Sequence, residues 1–135
     1  MAGDDRKAQT RTTWLGVLNK HAHDFDAPAD GQYWSPRLDT ASRDELTAIQ
    51  NNKLAAVTPF LYENSPFYRA RFDRLDLTPT DIATVDDLSK WPVLDKSEMM
   101  EDAISNPPYG TYTTIDDDDW HQRGWMLFSS SGSTG

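Results

Sequence analysis

Apolar positions along the 135-residue chain fall into short, punctuated groups rather than one long periodic stretch. Residues 1–32 are polar around a weak cluster, Trp14, Leu15, Val17 and Leu18, whose spacing predicts a short helix within a leader that is otherwise flexible or a docking arm. A stronger signal begins at Ser42-Arg43-Asp44-Glu45, where the serine hydroxyl can accept from a first-turn N–H while the glutamate reaches back. Leu46, Ile49, Leu54, Val57 and Leu61 then follow at near-helical spacing. Pro59 interrupts this pattern. Proline inside a helix removes a hydrogen bond and costs about 3 kcal/mol or more, so a kink or break is expected near residue 58.

Asn64-Ser65-Pro66 ends that element and starts another, with Ser65 as N-cap and Pro66 in the first turn, where a missing N–H costs nothing. Phe67, Tyr68, Phe72 and Leu75 supply its expected buried side. The same punctuation recurs at Thr78-Pro79-Thr80-Asp81, Thr84-Val85-Asp86-Asp87 and Asp95-Lys96-Ser97-Glu98, predicting short helices and tight turns across 66–104. Asn106-Pro107-Pro108-Tyr109-Gly110 reads as a turn and Gly124-Trp125-Met126-Leu127-Phe128 as a buried strand. The chain thus divides into a leader (1–32), a helical segment (33–110), and a stretch of turn, strand and hydroxyl-rich loop (111–135).

Composition narrows the function. Only 37% of residues are hydrophobic and the mean hydropathy is -0.72, so the core is thin unless another segment completes it. A net charge of -9 and a pI near 4.6 argue against nucleic-acid or anionic-membrane partners, which need clustered Lys and Arg. The absence of cysteine excludes disulfides, thiolate metal sites and a cysteine nucleophile, and fits a reducing compartment. With a polar start and no long apolar run, the cytoplasm is the expected location.

The chemistry concentrates at Ser129-Ser130-Ser131-Gly132-Ser133-Thr134-Gly135. Gly132 and Gly135 permit positive φ and close backbone approach, so successive N–H groups can converge on an anionic oxygen while Ser131, Ser133 and Thr134 add hydroxyls. No lysine follows as in a Walker loop, and no GxGxxG opens a helix. The competing reading is a flexible tail. Asp116-Asp117-Asp118-Asp119 reads as a solvated turn before a cation site, and His121 beside it as a charge partner with no catalytic role. His21 and His23 with Asp24 read as a solvated leader before metal ligands, and the five tryptophans as core or subunit packing.

Taken in order, Tyr33-Trp34-Ser35-Pro36, Ser42-Arg43-Asp44-Glu45-Leu46, Tyr62-Glu63-Asn64-Ser65-Pro66-Phe67-Tyr68-Arg69, Asp86-Asp87-Leu88-Ser89-Lys90-Trp91-Pro92, Asp95-Lys96 and Ser130-Ser131-Gly132-Ser133-Thr134-Gly135 resemble the start of the phenylacetate-coenzyme A ligases. The resemblance covers roughly 33–135. It implies a fold that is mainly α as it stands, the incomplete amino-terminal helical portion of a large α/β domain. It also implies an adenylate-forming enzyme, in which a small-molecule carboxylic acid, aryl or related, attacks the α-phosphate of ATP and the acyl group passes to coenzyme A. Ser130, Ser131, Gly132, Ser133, Thr134 and Gly135 then carry over as contacts to the β and γ phosphates, with Mg²⁺ as the usual cation. Two features depart from the family pattern: the stretch around Asp116-Asp117-Asp118-Asp119-Trp120-His121, and Pro59, which stands where those enzymes have an uninterrupted helix.

The chain is expected to be a piece of that enzyme, inactive and weak in ATP binding by itself because the adenine, ribose and acyl contacts and the later lysine that assists adenylation follow the loop. A strand at 124–128 without its neighbours is expected to pair with another chain, pack irregularly or aggregate. Two alternatives stay open: a small acidic helical interaction module, with a homo-oligomer formed through the helical segment, and an adenylating enzyme that loads a carrier-protein thiol.

Overall fold

The computed structural model of the chain describes residues 2–22 and 31–115. Five α-helices occur in these stretches: α1 (Ala2–Lys20), α2 (Pro36–Asp39), α3 (Arg43–Asn64), α4 (Pro66–Arg74) and α5 (Lys96–Ser105), with 3-10 turns at Pro79–Asp81 and Val85–Lys90 between α4 and α5. The described residues are therefore mainly helical and contain no strand. The strand predicted at 124–128 lies outside them.

Helix α3 is the spine. Its start is the expected capping box: the Glu45 N–H donates to Ser42 Oγ at 3.2 Å, and Glu45 Oε2 accepts from the Ser42 N–H at 2.8 Å. Of the kink or break expected near residue 58, the break does not occur: the helix continues through Pro59 to Asn64. Buried Ala56, Thr58 and Phe60 flank the proline and pin this part of α3 to its neighbours. Thr58 Oγ1 lies 3.0 Å from its own-helix Leu54 carbonyl and 3.2 and 3.1 Å from the carbonyls of Pro79 and Ile82, joining α3 to the first 3-10 turn. Burying one large apolar side chain gives about 1.5–3 kcal/mol, comparable to the cost of the proline, so packing keeps the helix whole.

Helix α1 spans 19 residues and packs along α3. Asn64 Nδ2 donates to Thr10 Oγ1 at 3.1 Å near one end, and His21 Nε2 lies 3.2 Å from Asn52 Oδ1 near the other, so the two helices run antiparallel. Trp14 and Val17 are half-buried, whereas Leu15 and Leu18 remain exposed, which splits the apolar cluster read from the sequence. His21 is buried in this seam rather than solvated.

The core is small and lies between α3, α4 and the 3-10 turns. Phe72 and Ile82 are fully buried beside Ala56 and Phe60. The Phe72 ring meets Trp91 edge to face at 4.2 Å and Tyr62 at 5.6 Å, the preferred geometry for aromatic pairs. Of the side chains expected to form the buried side of α4, Phe72 is fully buried and Phe67, Tyr68 and Leu75 are half-buried. Arg71, absent from that expectation, is 3% exposed.

Candidate functional site

Ser130, Ser131, Gly132, Ser133, Thr134 and Gly135 lie outside the described residues, as do His23, Asp24, Asp116-Asp117-Asp118-Asp119 and His121. What the structure describes is the helical platform and the irregular segment 110–115 that continues in sequence toward that loop.

The platform turns on one serine. Ser65 closes α3 by donating its N–H to the Leu61 carbonyl at 2.9 Å and opens α4 by accepting from the Tyr68 N–H, with Pro66 in the first turn as the sequence predicts. Its side chain, in a residue only 1% exposed, also lies 3.0 Å from the Thr111 carbonyl and 3.1 Å from that of Tyr112. The Phe67 N–H donates to Thr111 O at 3.3 Å, and Arg11 Nη2 of α1 donates to Thr114 O at 3.1 Å. From α5, the Asp102 carboxylate accepts the Thr111 N–H through one oxygen and the Thr111 hydroxyl, at 2.7 Å, through the other. Three helices thus hold the stretch 111–114 through Thr111, Tyr112 and Thr114.

A turn precedes this segment as expected. The Gly110 N–H donates to Asn106 O at 2.8 Å, the Pro107–Pro108 peptide is cis, and Gly110 has φ +74°. A Cβ at Gly110 would stand 2.5 Å from Asp102 Oδ2 and 2.9 Å from the Tyr112 ring, so glycine is required by both conformation and space.

A buried cation ties α4 to α5. Arg71 Nη1 donates to both Glu98 oxygens at 2.9 and 2.7 Å, and Nη2 donates to the Pro92 carbonyl at 2.7 Å, fixing the chain between the second 3-10 turn and α5. Hydrogen bonds from Arg71, then from Arg74, hold the Glu98 carboxyl below its usual range. Downstream caps form as predicted: Asp95 accepts from the Ser97 N–H at 2.8 Å, while Asp81 and Asp87 reach back to Thr78 and Thr84. The Asp87 carboxyl is also held low, first by Lys90 Nζ at 2.6 Å and then by Thr84. Trp91 and Pro92 of the Asp86-to-Pro92 stretch thus touch α4, the ring against Tyr68 and Phe72 and the carbonyl at Arg71, while the 3-10 turn before them packs on α3. Arg69 donates to the carbonyls of Tyr62 and Glu63 at the end of α3.

Tyr33-Trp34-Ser35-Pro36 sits apart at the start of α2, with Ser35 buried and Trp34 76% exposed. Among the described residues no group of three or more His, Cys, Asp or Glu can hold a metal ion, and no helix is long and apolar enough to cross a membrane. Sequence reasoning missed Arg71 and Asp102. Gly110 after two prolines was the available hint to the second.

No protein-family model matches the chain. Curated relatives do. The phenylacetate-coenzyme A ligase of Escherichia coli (strain K12) is 33% identical over 98 residues, covering 73% of this chain and 20% of the relative, and that of Aromatoleum evansii is 32% identical over the same length. Among solved structures, 2-hydroxyisobutyryl-CoA ligase in the postadenylation state with 2-HIB-AMP superposes with a TM-score of 0.63 at 27% identity, over 71% of this chain and 20% of that one. This chain is similar to the amino-terminal segment of adenylate-forming coenzyme A ligases. It spans about a fifth of the length of the ligases it matches. The same neighbour also exists in complex with 2-HIB-AMP and CoA in its thioesterification state. Within the ligase-like segment, the continuous α3 removes one of the two departures read from the sequence, since Pro59 does not interrupt the helix.

Proposed function

We propose that this chain is part of an acid–thiol ligase that activates an aryl or related carboxylic acid with ATP and transfers the acyl group to coenzyme A. The observation that carries the reading is the ordered motif series from Tyr33 to Gly135, supported by 33% identity to a phenylacetate-coenzyme A ligase and by the helical match to a second acid-CoA ligase. In this reading Ser130, Ser131, Gly132, Ser133, Thr134 and Gly135 hold the β and γ phosphates through backbone N–H groups and hydroxyls, offsetting charge on the leaving pyrophosphate. Mg²⁺ is the cation that accompanies such phosphates, and no described residue is assigned to it. The relatives' names span an aryl and a branched hydroxy acid, so the acid itself is a matter for assay.

The test is pyrophosphate release by the full-length gene product with ATP, coenzyme A and a panel of aryl and short aliphatic acids. Release with at least one acid is expected; silence with all of them sinks the reading. The 135-residue chain alone is expected to bind ATP weakly, because one loop without adenine and ribose contacts cannot offset the entropy lost on association.

A further inference from the structure

We propose that α5 is a latch: a helix clasped to the body by charge rather than by apolar packing, which lifts away as a unit while α3 and α4 stay folded.

Apolar burial gives α5 little hold. None of its ten residues is buried, whereas α3 buries Ala56, Thr58 and Phe60 and α4 buries Arg71 and Phe72. Met99 and Ala103 are half-buried, while Met100 and Ile104, two positions before and after Asp102, stand on the opposite side of the helix, Ile104 at 77% exposure. A helix of ten residues is marginal in water unless packing supports it. The support here is ionic. In the first turn Glu98 receives Arg71 Nη1 on both oxygens, at 2.9 and 2.7 Å, and Arg74 Nη2 at 3.2 Å. Four residues on, Asp102 receives the N–H and the hydroxyl of Thr111. Residues four apart share one face of a helix, so a single lifting motion breaks both clasps.

The connections on either side permit that motion. Arg71 Nη2 keeps the Pro92 carbonyl at 2.7 Å, but residues 92–95 have no regular structure and Val93 is 91% exposed, which gives one pivot. Beyond α5 the turn is tied to the helix by the Asn106 N–H, which donates to Asp102 O at 2.9 Å, and the second pivot is Gly110, whose backbone has the widest freedom of any residue type. The cost of opening is concentrated in Arg71. It is 3% exposed and loses its carboxylate when α5 leaves, and a buried charge without its partner is strongly unfavourable. The groups around Glu98 are Arg71 and Arg74 from α4, the Asp95 cap, and Glu101 and Asp102 of α5 along the same groove. The arginines prevail and hold the Glu98 carboxyl below its ordinary range, so the clasp is charged and closed at neutral pH. Elements with few apolar contacts are those that open locally, well below the free energy of global unfolding. Among the described residues, opening leaves 111–114 held from α1 and the start of α4.

The experiment is amide hydrogen exchange on the whole 135-residue chain near neutral pH, read residue by residue by NMR and corrected for intrinsic rates, in wild type, Glu98→Gln and Ile104→Lys. In wild type the amides of Met100 to Ser105 are expected to be protected roughly tenfold less, or weaker still, than those of Ala56 to Thr58 in α3. Glu98→Gln keeps the size of the side chain but not its charge, and is expected to lower the protection of α5 by roughly a further tenfold with α3 unchanged, as loss of a charge-assisted bond predicts. Ile104→Lys is expected to leave both helices as they are. Equal protection of α5 and α3 in wild type, or a fall in both together in Glu98→Gln, would make α5 part of one cooperative unit and overturn the proposal; a Glu98→Gln chain that does not fold has the same meaning. Protection of α5 that is unmoved by Glu98→Gln, or that falls in Ile104→Lys, would show that the helix is not held by charge, and overturns it equally.

Discussion

Gly110 sits at the tightest point of the molecule, with φ +74° and less than 3 Å between a would-be Cβ and both Asp102 and Tyr112. Gly110→Ala must either push the Asp102 carboxylate off Thr111 or move the turn, and it adds the cost of left-handed backbone in a residue with a side chain. Chemical denaturation of the variant is expected to show a loss of about 1–3 kcal/mol, the usual cost of a strained backbone position. An unchanged midpoint would mean that the turn relaxes freely. Single residues also mark the limits of the sequence. Arg71 reads as one more charge on a surface helix, since its partners Glu98 and Pro92 lie 27 and 21 residues away and no local pattern pairs them.

At the scale of elements, the starts of helices were the most legible feature. Ser42, Ser65 and Asp95 begin α3, α4 and α5 as read, because a cap is a local hydrogen bond between residues two or three positions apart. Helix α3 shows what local reading cannot weigh. Its leucine pattern suggests one face, but α1 packs on it as well as α4 and the 3-10 turns, so burial falls on Ala56, Thr58 and Phe60 instead. Pro59 is tolerated for the same reason, at a cost that remains in the stability of the chain. Pro59→Ala restores the missing donor and is expected to raise stability by about 1–3 kcal/mol, somewhat less than the full cost of an interior proline because alanine frees the unfolded chain. A lower thermal midpoint in that variant would show that the ring, which faces Pro79 across a groove, contributes packing that alanine cannot replace.

For the whole molecule, acidity and stability are linked through many small terms. Glu45, Asp81, Asp87, Asp95 and Glu98 are all held below their ordinary ranges, chiefly by hydrogen bonds from Ser42, Thr78, Lys90, Ser97 and Arg71 respectively. A carboxyl depressed on folding stabilises the chain above its unfolded pKa of about 4 and loses that contribution as pH falls through the folded value. Lys90, raised by Asp87, and Tyr62, raised by Asp73, work at the other end, stabilising below about pH 10 and fading above it. The thermal midpoint followed by circular dichroism is therefore expected to be level between about pH 5 and 10 and to fall on either side, modestly because these groups face solvent and are screened by salt. A midpoint that rises from pH 5 to 3 would contradict the assignment. The loop read at Ser130 to Gly135 lies outside the described residues, and that reading rests on the order of its residues alone. Arg11 meets Thr114 across 103 positions and Ser65 meets Thr111 across 46, so the docking of 110–114 closes very long loops. Helical proteins owe their speed to contacts between near neighbours; here the Asp102 clasp on Thr111 spans only nine positions, whereas the bond from Arg11 to Thr114 closes a loop of 103 and belongs to the slowest class of contact in the chain.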